Sequence, residues 1–382
     1  MDISPTPAQE EFRAEVRRWL TTNKPSVPMP SGDTIAGVGA HLEWERKLFD
    51  GGWAVVSWPR EYGGRDANLW EWLIFEDEYF RAGLPQRASQ NGIFLLAPSL
   101  FEFGTQEQKD RILPRMASVQ DLWCQGWSEP NSGSDLASLT SRASRDDAGG
   151  GWRLNGQKTW TTRGAVCTHL FGLFRTDPAA ERHRGLTYML VDLRQPGVTV
   201  RPVRKLDGDE GFAEVFFDDV FVPDRDVLGE VNNGWSVAMA TTGSERGLTL
   251  RSPGRFNAVT TKLVSLYRER VAEGQPLDPN LRGEVADGWM AARAYELTTW
   301  MTVTRLSRGE KMGLEASLNK VFWSEMDIRL HETALRLLGD EAEFESPWMS
   351  GYQFALAGPI YAGTNEIQRN IIAERLLGLP RS

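Results

Sequence analysis

Cysteine and histidine are the scarce residues of this chain: 382 residues hold two cysteines, Cys124 and Cys167, and four histidines, His41, His169, His183 and His331. Two thiols cannot build a disulfide framework, and scattered histidines without an HExxH spacing make no metal-ligand set, so no metal is expected. No stretch approaches the roughly 18 consecutive apolar residues of a membrane span. The opening Met1-Asp2-Ile3-Ser4 has neither a basic region nor an apolar signal core. Membrane insertion and secretion are therefore set aside, and the cytoplasm is the expected compartment. Positive charge is also short: 43 Lys and Arg against 52 Asp and Glu leave a net charge of −9. That balance repels phosphate backbones and argues against nucleic acid as the main partner, while leaving room for a local basic nucleotide pocket.

What is present is apolar mass. A 41% apolar share over this length exceeds one hydrophobic core and fills two or three packed subdomains. Fifteen tryptophans are read as packing residues, with a minority available to line a site for a flat ligand.

Thr6-Pro7-Ala8-Gln9 is a capping-box pattern with proline at the first helical position, and Phe12, Val16, Trp19 and Leu20 follow on one helical face. Further helical periods cover about 41–49, 70–81, 95–103 and 106–116, punctuated by Trp58-Pro59 and Tyr62-Gly63-Gly64. Near residue 120 the period changes to two. Trp152 and Leu154 alternate, Asn155-Gly156 reads as a hairpin turn, and Lys158, Trp160 and Thr162 alternate on the expected return strand. Segments 186–193, 198–203 and 213–222 extend the sheet, with turns at Pro196-Gly197 and Asp207-Gly208. Long helices return over 235–270, 281–308 and 314–338, and a final helix starts near Thr364. The expected fold class is α+β: an N-terminal helical domain (1–120), a central antiparallel β-domain (121–230) and a C-terminal four-helix-bundle domain (231–382).

Four phrases now carry a family resemblance. They are Trp58-Pro59-Arg60-Glu61-Tyr62-Gly63-Gly64, Trp127-Ser128-Glu129-Pro130-Asn131-Ser132-Gly133-Ser134-Asp135, Asn155-Gly156-Gln157-Lys158-Thr159-Trp160-Thr161-Thr162, and Tyr361-Ala362-Gly363-Thr364-Asn365-Glu366-Ile367-Gln368-Arg369. In this order they resemble the acyl-CoA dehydrogenases over the whole chain. The resemblance implies FAD, held by the second and third phrases. An isoalloxazine ring has a flat apolar face and a hydrogen-bonding edge. Trp160 would cover the ring and Thr162 would direct its hydroxyl at N5; spaced by two, they share one strand face. By the same resemblance Trp127 and Ser128 lie at the pyrimidine edge and Ser134 near the pyrophosphate, where hydroxyl and backbone donors suit an anion. Thr364 and Glu366 approach the flavin from the start of the last helix, whose free N–H groups suit cofactor oxygens. Ile367 and Ile371 are the buried stripe expected of that helix.

The family's catalytic glutamate is often found between the tyrosine and Gly-Thr, and here that residue is Ala362. Removing the weakly acidic α-proton of a thioester needs a base, which a partly desolvated carboxylate supplies. Some branches carry it on the first long C-terminal helix, just before an arginine, and this chain has Ser244-Glu245-Arg246-Gly247 there. Glu245 is the expected base and Arg246 an orienting charge. The Ala362 backbone N–H would still polarise the thioester carbonyl, and its small side chain hints at a bulky, branched or cyclic acyl group.

Two phrases depart from the family pattern. Arg270-Val271-Ala272-Glu273-Gly274 keeps the arginine and glycine of Arg-x-x-Phe-Gly but not the aromatic, and a Gly-Gly-x-Gly phrase is reduced to Leu338-Gly339-Asp340-Glu341. By resemblance Arg270 serves a neighbour's cofactor, so the chain is expected as a homotetramer or joined to a related subunit. The expected partners are an acyl-CoA or acyl-carrier thioester and an electron-transfer flavoprotein. Two other readings stand beside the dehydrogenase: a non-catalytic subunit that binds FAD or a partner chain, and a flavin monooxygenase on the same scaffold. Anaerobic bleaching of the flavin by substrate separates them.

Overall fold

The structure is a computed structural model that describes residues 5–246, 252–310 and 313–380, with the side chains of 244–246 outside that description. In chain order it runs through helices α1 (Pro7–Asn23), α2 (Ile35–Asp50), α3 (Leu69–Arg81), α4 (Ala97–Phe103) and α5 (Gln106–Ala117), then strands β1 (Trp123–Gly126), β2 (Arg142–Asp146), β3 (Gly151–Thr162), β4 (His169–Arg175), β5 (Leu186–Asp192), β6 (Val198–Val203), β7 (Phe212–Pro223) and β8 (Val227–Leu228). Helices α6 (Gly234–Arg246), α7 (Pro253–Ala272), α8 (Leu281–Leu306), α9 (Glu315–Leu338), α10 (Pro347–Ala355) and α11 (Asn365–Ile371) follow. N-terminal helices, a central sheet and C-terminal helices therefore succeed one another. No helix among the described residues is long and apolar enough to cross a membrane.

The chain divides into two compact units, one of residues 1–24, 68–85 and 246–382, the other of 25–67 and 86–245. In the first, Thr6 and Gln9 close the capping box at the head of α1, which buries Val16 and Leu20. Arg13 and Arg17 of α1 meet Glu78 of α3 at 2.8–2.9 Å. The core of this unit is built by α7, α8 and α9 around Phe256, Tyr295, Trp323, Met326 and Leu330. The 235–270 period breaks into α6 and α7, because Ser252 caps a new helix with Pro253 in its first turn. The sequence period also missed α10, whose N-cap Ser346 accepts the Met349 N–H at 3.1 Å.

The second unit carries the sheet, in the order β6-β7-β3-β2-β4-β5-β8 with β1 paired parallel to β4. Leu154, Leu170, Phe174, Val191, Val215 and Val220 pack its core. Asn155-Gly156 is not a hairpin turn. The β2–β3 turn falls at 147–150, where the Gly149 N–H bonds to Asp146 at 2.9 Å and Gly150 takes φ +66°. Asn155-Gly156 instead forms a bulge inside the long strand β3, opposite β7. Glycine is required there, since φ is +145° and a Cβ would collide with Ser141.

Candidate active site

In the second unit β3 carries Trp160 and Thr162, the residues expected to meet the ring. A second register shift against β7, between Lys158 and Thr161, puts Trp160 at φ +56° and leaves its indole 62% exposed, while Thr161 is fully buried and Thr162 half-buried. The shift re-aims the indole outward beside Thr162, and its ring meets Phe212 edge-on with centroids 5.8 Å apart. Arg163 follows at φ +56°, fastened to Asp33 at 2.8 Å and to the Arg87 carbonyl at 3.3 Å. Burial raises the Asp33 carboxyl, but Arg163 and Lys205 (2.8 Å) outweigh that and hold it below the usual carboxylate range.

The Trp127-Ser128 phrase leaves β1 and meets β3. The Ser128 carbonyl accepts the Thr159 N–H at 2.8 Å, and the Trp127 carbonyl accepts from Lys158 Nζ at 3.4 Å. Glu129 faces Lys158 at 2.8 Å, both side chains buried. Burial alone raises the Glu129 carboxyl; the Lys158 charge and bond, with donors from Thr140 and Ser141, bring it down to about 2. Ser134 sits on the exposed turn beyond, beside Asp135, which pairs with Arg182 at 2.7 Å.

Trp127 Nε1 and Gln125 Nε2 are buried donors without a hydrogen-bond partner among the described residues. Orphaned buried donors demand an explanation, and two on alternate residues, Gln125 in β1 and Trp127 just beyond its end, suit a ligand with acceptor oxygens along its edge. An exposed indole at Trp160 is the kind of side chain that covers a flat ring, and unpartnered donors are the kind that meet its carbonyls. Gln125 had no signal in the sequence beyond sharing parity with Trp127.

In the first unit Thr364 caps α11 by accepting the Ile367 N–H at 3.3 Å. Glu366 is exposed in the first turn. Ala362 takes φ +58° and Gly363 φ +80°, a left-handed turn just before the helix. Ile367 and Ile371 are only half-buried; the buried residues of α11 are polar, Asn365 and Gln368. Asn365 Oδ1 accepts from Lys320 Nζ at 2.8 Å and Ser324 Oγ at 3.2 Å, and Gln368 Nε2 donates to the Ala362 and Gly363 carbonyls at 3.2 and 3.4 Å. Tethering this turn takes precedence over an apolar stripe, which periodicity could not show. Arg270 is buried, paired with Glu273 at 3.1 Å and with Glu341. Glu245 and Arg246 are the last described residues of α6; their side chains lie outside the described residues. No group of three or more His, Cys, Asp or Glu that could hold a metal occurs among the described residues.

An exposed indole and unpartnered donors are compatible with a flat, carbonyl-bearing cofactor of the flavin oxidoreductases. Family models described as the N-terminal, middle and C-terminal domains of acyl-CoA dehydrogenase match residues 6–120, 124–220 and 232–377. The acyl-CoA dehydrogenase IpdE1 of Mycobacterium tuberculosis is 39% identical, over 97% of this chain and 98% of its own. Among solved structures, the Tcur3481-Tcur3483 steroid ACAD superposes with a TM-score of 0.87 at 28% identity, covering 100% of both chains. The ChsE4-ChsE5 complex from Mycobacterium tuberculosis gives 0.82 at 29%, again over 100% of both. The chain belongs to the acyl-CoA dehydrogenase family and is an FAD-dependent enzyme of that class.

Proposed function

We propose that the enzyme converts an acyl-CoA to the trans-2-enoyl-CoA with Glu245 as base. The observation that carries this reading is Ala362: in the turn that opens α11, at the position where the family resemblance expects the base, the side chain is a methyl group. Glu245, late in α6 and next to Arg246, is the candidate carboxylate, and Arg246 orients charge beside it. FAD, when bound, supplies the hydride acceptor for Cβ. The chain's own part is to hold the ring between Trp160, Thr162, Trp127 and Ser128, to bind the pyrophosphate near Ser134, and to offer Thr364, Glu366 and the Ala362 backbone N–H from the α11 turn. The last of these steadies the negative charge that grows on the thioester oxygen.

A small residue at 362 suits a wide acyl group, and a solved relative described as a steroid ACAD supports a polycyclic one. The three sequence stretches 1–120, 121–230 and 231–382 are kept as the functional domains, the middle one holding the ring platform. CoA is the proposed carrier, an electron-transfer flavoprotein the acceptor and the cytoplasm the compartment.

A heteromer is the second reading of assembly. Arg270, the expected contact to a neighbour's cofactor, is engaged by Glu341 and Glu273 of its own chain, and a solved relative is a complex of two named subunits. Fewer than one FAD per chain in the purified native complex supports it, whereas full occupancy in a homotetramer removes it.

The deciding experiment mixes FAD-loaded wild type and Glu245→Gln anaerobically with a panel of straight, branched and polycyclic acyl-CoA thioesters. Flavin bleaching is expected in the wild type, fastest with a polycyclic thioester. It should slow by about 10²–10⁴-fold in the variant, the range for a lost general base. Bleaching of Glu245→Gln at the wild-type rate sinks the assignment of the base.

A further inference from the structure

Lys158 is fully buried and Glu129 nearly so, and their charges meet at 2.8 Å. Neither takes part in the chemistry above. A buried ion pair is often no more stabilising than apolar side chains of the same volume, so stability is a weak reason for its presence. What it does visibly is join one strand to one loop. Lys158 Nζ reaches the Trp127 carbonyl as well as Glu129, and the next residue, Thr159, donates to the Ser128 carbonyl. The far end of the loop closes on the same carboxylate: Glu129 accepts from the Thr140 N–H at 2.6 Å, the Thr140 hydroxyl at 2.9 Å and the Ser141 N–H at 2.9 Å.

Two residues beyond Lys158 stands Trp160, inside the irregular stretch where β3 shifts its register against β7. A bulged strand has a register to lose, and a slip of one residue would turn Lys158 to the opposite face and strand Glu129 without its partner. We propose that Glu129 and Lys158 are positioning residues of the FAD site, a buried ionic clamp that fixes Trp127 and Ser128 against Trp160 and Thr162 and so sets the affinity and orientation of the flavin ring. The proposal rests on the reading that those four residues contact the ring.

The test titrates three apoproteins with FAD: wild type, the charge-balanced double variant Lys158→Met/Glu129→Gln, and Trp160→Ala. Flavin fluorescence gives affinity, visible circular dichroism gives the ring's surroundings, and thermal unfolding of the apoprotein gives stability. The double variant is expected to unfold near the wild-type temperature yet bind FAD at least about tenfold more weakly, a loss of about 1.4 kcal/mol, with an altered flavin dichroism. Wild-type affinity and dichroism in the double variant overturn the clamp. If Trp160→Ala also binds FAD as wild type does, the ring platform itself is misassigned. A changed Trp160→Ala beside an unchanged double variant condemns the clamp alone. Should the double variant not fold, Thr140→Val decides: it removes one hydroxyl bond from Glu129 at an exposed position. FAD binding about threefold weaker, the size of one modest hydrogen bond, is expected, and unchanged binding overturns the proposal.

Discussion

Two of the residues expected to serve the cofactor or substrate, Trp160 at φ +56° and Ala362 at φ +58°, hold left-handed backbone, and their surroundings hold them by different means. Such a conformation is disfavoured by about 1–2 kcal/mol for a residue with a Cβ, so each needs a scaffold. Beside Trp160 the scaffold is ionic and buried, built on Glu129 and Lys158. Around Ala362 it is built on amides: Gln368 donates to the two carbonyls of the turn, and Asn365 is gripped by Lys320 and Ser324. An ionic scaffold is strong in one protonation state and fails sharply when a partner is lost. The amide bonds from Gln368 to the turn give less per contact, and the Gln368 amide itself does not titrate. A bulged strand that must stay in register calls for the first, and a short turn before a helix is served by the second.

That contrast can be broken at several points. The largest effect is expected from Lys158→Met alone, which leaves a buried carboxylate unpaired and should lower unfolding stability by about 3–5 kcal/mol in urea titration. A loss below about 1 kcal/mol would show that the pair is not what holds the strand.

The next effect is acid sensitivity. The folded Glu129 carboxyl is held at about 2, against an ordinary value of 4.5. The unfolded chain therefore binds the extra proton first as pH falls. The contribution of this group is complete above about 4.5 and disappears as pH approaches 2, a loss of about 3 kcal/mol by linkage. Stability measured from pH 6 to pH 2 should fall less steeply in Lys158→Met/Glu129→Gln than in wild type, while Gln368→Leu should run parallel to wild type. Parallel curves for all three contradict the ionic side of the contrast.

Gln368→Leu itself should lower stability by about 2 kcal/mol, since it removes the donor to two carbonyls of the turn. Flavin reduction by substrate should slow with it, as the Ala362 N–H loses its support. Normal reduction kinetics in a destabilised variant would separate the turn from catalysis. The smallest effect belongs to Ala362→Gly, which removes the Cβ from a left-handed residue and should stabilise the folded protein by about 0.5–1 kcal/mol. A loss of stability there would mean that the methyl group packs to more purpose than the strain it carries.

Much of the fold was legible because local chemistry and tertiary structure agree. Thr6, Thr105 and Asn68 cap helices through their own side chains, and the glycines at 197 and 208 turn the sheet with positive φ. The failures have particular causes. Asn155-Gly156 carries the local signature of a hairpin, but Gly149-Gly150 already makes that turn, and β3 runs on beside β7 through a bulge. Ser252-Pro253 lies inside a continuous helical period that masks its serine-before-proline N-cap signal. The polar buried face of α11 was invisible because Asn365 and Gln368 are buried by partners about 40 residues away or by their own preceding turn.

The sequence by itself determined the class of enzyme, the order helices, sheet, helices, the phrases that carry the family resemblance and the absence of a carboxylate at 362, since each is written in residue types and short spacings. Only the tertiary structure decided that Lys158 faces Glu129, that Trp160 turns outward on a shifted strand, and that Ala362 sits left-handed above Gln368. Those facts depend on which distant backbone a buried polar group finds when water is excluded, and no local period encodes that choice.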